Sequence, residues 1–122
     1  MPNRIRAKSS AVRLTPTPAL FDILQALYRL LDRTDLILPS RLVITSGSEG
    51  HPGDGVHSRT SRHYSGEALD IRTHNFDSPV SRHVFASTLQ ATLGPQFTVL
   101  LEAEGTPREH VHIQPIKGSV YR

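Results

Sequence analysis

Residues 61–70 read SRHYSGEALD, a polar stretch that passes into an alternating apolar pattern at its end. His63 and Asp70 frame this stretch, and the positions between them include two small residues, Gly66 and Ala68. One interpretation is a loop that simply ends in a strand. The other is a pair of metal ligands on neighbouring elements, and the choice depends on the ligands that the rest of the chain supplies.

Helix and strand patterns lie on both sides of this stretch. The runs RLVITS and EALDIR are short and rich in the residues that favour strands. Thr17 before Pro18, and Ser78 before Pro79, each place a hydroxyl cap ahead of a proline, which is typical of a helix start. The patterns predict strands over 41–46, 67–72, 97–103 and 110–114, and helices over 18–33 and 79–93.

This order of elements predicts one α+β domain spanning residues 1–122, with a small, mainly antiparallel sheet and the two helices packed on one side. We expect residues 1–14 to form a loose N-terminal arm. The glycine-rich segment between the first two predicted strands is long for a small domain, and such loops are usually functional or disordered.

Composition excludes several classes of protein. No apolar run approaches the roughly 20 residues that cross a bilayer, and the basic N-terminus lacks the apolar stretch of a secretory signal, which predicts synthesis in the cytoplasm. The net charge of +3 is spread along the chain without a basic run, so we expect no nucleic-acid partner and a monomer. Because cysteine is absent, any metal must be held by histidine and carboxylate.

A second pair of histidines supplies the missing ligand. His110 and His112 are two positions apart in a predicted strand, so they project from the same face. His63, Asp70 and His112 would provide two imidazoles and one carboxylate, and three protein ligands with one open position are typical of catalytic zinc. Surface or core histidines remain the alternative, because the chain has seven of them.

Two motifs resemble those of a known peptidase family. The stretch SRHYSGEALD matches the pattern SxHxxGxAxD, and EHVH places Glu109 three residues before His112. The segment VITSG (43–47) also resembles the strand that precedes the first motif. The chain is therefore similar, over about residues 41–115, to zinc D-Ala-D-Ala carboxypeptidases, vancomycin-resistance dipeptidases and phage L-alanyl-D-glutamate endolysins, within the hedgehog/DD-peptidase superfamily.

The resemblance implies a hedgehog/DD-peptidase-like fold and a peptidase that hydrolyses D-Ala-D-Ala or L-Ala-D-Glu bonds of peptidoglycan, acting on the cell wall if it is released. It implies Zn²⁺ held by His63, Asp70 and His112, with Glu109 as the general base. His110 is the rival base or oxyanion donor. The alternative is a zinc-containing binding module of the same fold without catalysis, which recognises a cell-wall peptide or a protein partner.

One position departs from the family pattern. Many relatives read SGYR after the strand, and their arginine can bind a substrate carboxylate, whereas this chain reads SGSE with Glu49 at that place. Ordinary surface chemistry of the loop is the alternative for each residue that could substitute for the arginine. The substrate-binding residues that we expect are Ser61, Arg62, Arg72 and His57. Arg59 and His51 are further candidates to replace the arginine.

Overall fold

Five strands and two helices make up the part of the chain that the computed structural model describes, residues 4–49, 63 and 65–116. The sheet order is β1-β2-β3-β5-β4, in which β1 and β2 are parallel and the other pairs are antiparallel. The α+β prediction with a mainly antiparallel sheet is therefore confirmed. The elements in chain order are β1 (Ile5–Ala7), α1 (Pro18–Leu31), β2 (Leu42–Ser46), β3 (Leu69–Arg72), α2 (Pro79–Leu93), β4 (Phe97–Glu102) and β5 (His110–Pro115).

Both helices begin where the sequence predicts. The Thr17 side chain accepts a hydrogen bond from the Leu20 N–H at the start of α1, and proline follows at the first helical position. At the start of α2, Ser78 and Ser81 exchange side-chain and backbone hydrogen bonds in a capping box. The predicted bounds of α2 are confirmed, whereas α1 ends at Leu31 rather than at residue 33.

A single apolar core lies between the two helices and one face of the sheet. Leu27 and Leu30 of α1 and Phe85 of α2 are fully buried in the same cluster as Ile71 of β3 and Val111 of β5. Because side chains alternate along a strand, the neighbours of these core residues point to the opposite face of the sheet. We call that opposite face, which carries Asp70, Arg72, His110 and His112, the site face.

The expectation of a loose N-terminal arm is wrong for residues 5–7. This segment is an edge strand of the sheet, with Ile5 paired to Leu42 and Ala7 paired to Ile44. Its ends are also held, because the Leu42 N–H donates to the Arg4 carbonyl at 2.8 Å and the Lys8 N–H donates to the Ile44 carbonyl at 2.9 Å. The strand is too short for an alternation of apolar and polar residues to be recognised in the sequence. Its backbone pairing with β2 keeps this segment in the sheet.

The register of β3 and β5 brings the predicted site residues together. Asp70 is paired with His112, and Arg72 is paired with His110. On the other side of β3, Ser46 of β2 is paired with Asp70. The site face therefore carries two adjacent rows of polar side chains, one at the level of Asp70 and one at the level of Arg72.

Candidate metal centre

Three side chains from separate elements converge at the level of Asp70. His63 belongs to the turn before β3, Asp70 to β3 itself and His112 to β5, and one ligand atom of each lies within 4.8 Å of the others. His63 Nε2 is 3.4 Å from Asp70 Oδ2, and His112 Nδ1 is 2.8 Å from Asp70 Oδ1. The structure thus brings together the three metal ligands that the sequence predicts.

The His63 ring is oriented by a backbone contact. Its Nδ1 lies 2.8 Å from the Gly47 carbonyl oxygen, which can only accept, so Nδ1 carries the proton and donates. When Nδ1 carries the only ring proton, Nε2, the ring nitrogen nearest Asp70, is the atom that can bind a metal. With 2% of its surface exposed, His63 has little freedom to turn away.

The His112 ring is held from both ends. Its Nδ1 faces Asp70, while its Nε2 lies 2.7 Å from Gln114 Oε1 and can donate a proton there. Burial lowers the pKa of His112, but the hydrogen bonds to Asp70 and Gln114 outweigh burial and raise it above the ordinary value. Burial also raises the pKa of Asp70, yet the contacts with His112 and His63 hold it well below the usual range. Asp70 is therefore an ionised carboxylate at neutral pH.

These donors fit a zinc ion. Histidines that bind a metal usually donate their other ring N–H to a carbonyl or carboxylate, and both His63 and His112 have such a partner, in Gly47 and Gln114. Two imidazoles and a carboxylate in a partly buried site are a donor set that zinc favours. The part of the chain that the structure describes thus contains a candidate metal-binding group with its ligand atoms already oriented.

His110 lies beside this group on the site face. Its Nε2 is 3.0 Å from Glu102 Oε1 and 3.7 Å from Asp70 Oδ1, and its Nδ1 is 2.8 Å from the Arg108 carbonyl. A doubly protonated ring can donate to Glu102 and Arg108 at once, whereas a neutral ring can donate to only one of them. His110 can therefore hold or release a proton at Nε2, next to Asp70. Glu102, His110 and His112 also form a second, more exposed group of possible ligands.

Glu109 is not brought into the candidate site. It precedes β5, as expected, and its side chain is buried. Its carboxylate accepts from Thr73 Oγ1 at 2.6 Å and from the Gly105 N–H at 3.0 Å, and it lies 3.0 Å from an Arg82 nitrogen. These contacts hold the Glu109 carboxylate beside Thr73 and Arg82, and its role as the general base stays a prediction.

Glu49 has a structural role at the place of the family arginine. Its carboxylate accepts from Ser46 Oγ at 2.6 Å, from the Gly47 N–H at 2.8 Å and from the Arg13 N–H at 3.2 Å. Burial raises the pKa of Glu49, but the hydrogen bonds from Ser46 and Gly47 outweigh burial and lower it. Glu49 thus holds the N–H of Gly47, the residue whose carbonyl oxygen orients His63.

The turn that carries His63 is tied to the start of α1. Gly66 has a positive φ of 78°, and a Cβ there would lie 2.9 Å from the Thr15 Cβ, so glycine is required for both reasons. The Thr17 hydroxyl donates to the Gly66 carbonyl at 2.9 Å while it also caps α1. Gly66 therefore lies against the segment before α1.

The predicted substrate-binding residues can be followed only in part. Arg72 lies on the site face, paired with His110. Ser61, Arg62 and His57 lie outside the described residues, as do the further candidates Arg59 and His51.

Sequence reasoning missed the partners that orient the site. Gln114 stands two positions after His112 on the same strand face, so the alternation of β5 contains a signal that could have identified it. Glu102 is paired with His110 across β4 and β5, and only the register shows this. The Gly47 carbonyl is a backbone group, and no pattern of residue types indicates it.

Comparison of the chain with family models and with curated proteins found no match. Among residues 4–49, 63 and 65–116, neither helix combines the length and apolar character needed to cross a membrane.

Proposed function

We propose that the chain is a zinc-dependent peptidase that hydrolyses a peptide bond of peptidoglycan stem peptides, either D-Ala-D-Ala or L-Ala-D-Glu. The observation that carries the proposal is the convergence of His63, Asp70 and His112, with both imidazoles oriented by a second partner. The sequence motifs around these residues, which resemble those of zinc peptidases of the hedgehog/DD-peptidase superfamily, supply the substrate class.

In this proposal His63 Nε2, a carboxylate oxygen of Asp70 and His112 Nδ1 hold the zinc. Bound zinc supplies Lewis-acid chemistry, which polarises a carbonyl and lowers the pKa of water. His110 is the group placed to carry a proton, because its Nε2 lies 3.7 Å from Asp70 and is within hydrogen-bond distance of Glu102. Glu102 and the Arg108 carbonyl orient the His110 ring.

The arrangement of Glu109 changes the assignment of the proton carrier. The family motif implies Glu109, but its carboxylate is buried in contacts with Thr73, Gly105 and Arg82. Using it as a base would require breaking a buried ion pair, which is costly. We therefore assign the proton transfer to His110.

The second candidate function is a zinc-containing binding module without catalysis, which recognises a cell-wall peptide or a protein partner. Two observations favour it: the Glu109 carboxylate faces away from the ligand group, and Glu49 stands where relatives have an arginine. Such a module would retain the zinc ligands and bind a wall peptide without cleaving it.

The first prediction tests the metal and the proton carrier together. His63→Ala should lose stoichiometric zinc and unfold at lower temperature, because an ion that binds only the folded protein adds to its stability. His110→Gln should keep its zinc but lose about 10²–10⁴-fold in kcat, the usual contribution of positioned proton transfer. Zinc content is measured by elemental mass spectrometry, and cleavage by mass spectrometry of digested peptidoglycan.

His83→Gln is the matched control, since His83 is an exposed histidine of α2 that pairs with Glu104. It should match the wild type in zinc content and activity. Zinc near one per chain in His63→Ala would show that the ligand set is wrong, and full activity in His110→Gln would refute the proton assignment. A wild-type protein that binds zinc and wall peptide but cleaves nothing would be the binding module.

A further inference from the structure

A basic cavity adjoins the candidate metal centre on the site face. Its volume is about 260 Å³, and it lies at the level of Arg72, next to the row that contains Asp70 and His112. Residues of β2, β3 and β5, Lys8 directly after β1, and the turn before β5 contribute to it. The lining residues that matter here are Lys8, Thr45, Arg72, His74, Arg108 and His110.

Among the described residues, the lining of this cavity carries more cations than anions. Lys8, Arg72 and Arg108 are permanent cations, and no ion pair joins any of them to another residue of the described part of the chain. The acidic residue of the lining is Glu109, and its carboxylate is already paired with Arg82. Three like charges around one cavity raise the local concentration of anions and favour an anionic ligand.

The cavity is within reach of a peptide bound at the metal centre. Arg72 follows Asp70 by two residues on β3, and His110 precedes His112 by two on β5, so the two rows are about 7 Å apart at a rise of roughly 3.3 Å per residue. An extended peptide covers about the same distance in two residues. His110 lines the cavity and also lies 3.7 Å from Asp70, so the two sites are continuous.

We infer that this cavity is the carboxylate subsite of the enzyme, in which Arg72, Lys8 and Arg108 bind a carboxylate of the substrate within two residues of the scissile bond. The inference rests on the proposed peptidase function and specifies its substrate as an anionic peptide. Arginine recognises a carboxylate through two parallel N–H donors, so Arg72, which is half-buried and at the centre of the row, is the principal contact. The subsite takes over the role that an arginine at position 49 would have, where Glu49 instead supports Gly47.

The test compares peptides that differ only in one charge. The first pair is N-acetyl-L-Lys-D-Ala-D-Ala and its C-terminal amide, and the second is N-acetyl-L-Ala-D-Glu and its α-amide. We expect zinc-loaded wild type to prefer the acid of at least one pair by about tenfold or more, mainly through KM, which corresponds to one charge-assisted hydrogen bond. Arg72→Gln and Lys8→Gln should each reduce that preference, and the double variant should abolish it.

Arg29→Gln is the control, because it removes one cation from α1 and leaves the cavity intact. It should keep the wild-type preference. Equal cleavage of acid and amide by the wild type would overturn the inference, and so would an unchanged preference in the double variant with normal zinc content.

Calorimetric binding of the same four peptides separates this inference from the proposed function. If the acids bind more tightly than the amides and the double variant loses that difference, the subsite is supported even when no peptide is cleaved, and the peptidase proposal alone fails. If peptides are cleaved without any preference for the acid, the peptidase proposal holds and the subsite is refuted.

Discussion

A backbone carbonyl decides which nitrogen of His63 is available to a metal. The Gly47 carbonyl oxygen accepts from His63 Nδ1, and the Gly47 N–H donates to the Glu49 carboxylate. A Cβ at Gly47 would lie 2.1 Å from the Arg13 carbonyl oxygen, so no residue with a side chain fits at this position. Glu49 therefore holds Gly47 in place, and Gly47 in turn orients the His63 ring.

The second prediction follows from this order of support. Glu49→Gln removes the charge and one of the two acceptor oxygens, so the Gly47 peptide should be less well fixed and His63 less well oriented. We expect zinc affinity to fall by about tenfold, the lower end of the loss that follows mutation of residues that orient metal ligands. Competition with a chromogenic chelator measures the affinity. Glu104→Gln, at an exposed carboxylate that pairs with His83, is the control and should bind zinc as the wild type does.

A Glu49→Gln protein that melts at a lower temperature but binds zinc with unchanged affinity would contradict this prediction. It would show that Glu49 stabilises the fold but does not orient His63.

At the scale of elements, the start of α1 is connected to the metal-ligand turn. The Thr17 hydroxyl accepts from the Leu20 N–H and donates to the Gly66 carbonyl. Ser78 caps α2 in a comparable way, but its side-chain contacts remain within the first turn of that helix. The two caps therefore form a natural pair for comparison.

The third prediction uses this pair. Thr17→Ala and Ser78→Ala should each destabilise the protein by about 1 kcal/mol, the usual cost of losing a cap, as measured by denaturant unfolding. Zinc affinity should fall in Thr17→Ala because the turn with His63 loses its contact to α1, and it should stay at the wild-type value in Ser78→Ala. Equal zinc affinity in the two variants would exclude a connection between α1 and the site.

A buried ion pair connects α2 to the beginning of β5. Burial raises the pKa of Glu109, but the hydrogen bonds from Thr73 and Gly105 and the charge of Arg82 outweigh it and lower the pKa below the ordinary value. A carboxylate with a lowered folded-state pKa stabilises the protein above its unfolded-state pKa. That stabilisation is lost as the pH falls through the folded-state value.

The fourth prediction is a pH-dependent loss of stability in Glu109→Gln. At pH 7 the variant should be less stable by about 1–3 kcal/mol, the cost of removing one partner of a buried charged hydrogen bond. The difference from the wild type should shrink as the pH falls below about 4.3, where the unfolded carboxyl takes up a proton. Urea unfolding at several pH values measures it, in parallel with zinc content.

The contradicting result would be a Glu109→Gln protein of wild-type stability at neutral pH with kcat lowered by orders of magnitude. That outcome would return Glu109 to the role of general base that the sequence motif implies.

At the scale of the whole molecule, local patterns predict the elements and the ligands well. Proline after a hydroxyl cap marks both helix starts, and the strand alternation places His110 and His112 on one face. The convergence of His63, Asp70 and His112 was predictable because their spacing resembles a known motif. The site face and the core face follow from the same alternation.

Long-range contacts are the part that the sequence does not reveal. The parallel pairing of β1 depends on backbone hydrogen bonds to β2, which no side-chain pattern of Ile5–Ala7 indicates. The direction of Glu109 depends on Arg82, which lies on a different element and is distant in sequence. The basic cavity also depends on long-range contacts, because Lys8, Arg72 and Arg108 are far apart in the sequence and line one cavity only in the assembled sheet.

The chain separation of the ligands has a kinetic consequence. Asp70 and His112 are 42 residues apart in the sequence, with the whole of α2 and β4 between them. Closing a loop of that length costs roughly 3 kcal/mol of chain entropy, so an unfolded chain gains little from holding one ion with both residues. We therefore expect His112 and Asp70 to meet only once β3 and β5 have paired. Zinc should therefore leave the refolding rate nearly unchanged and slow the unfolding rate, so that the ion lengthens the lifetime of the native protein without guiding its formation.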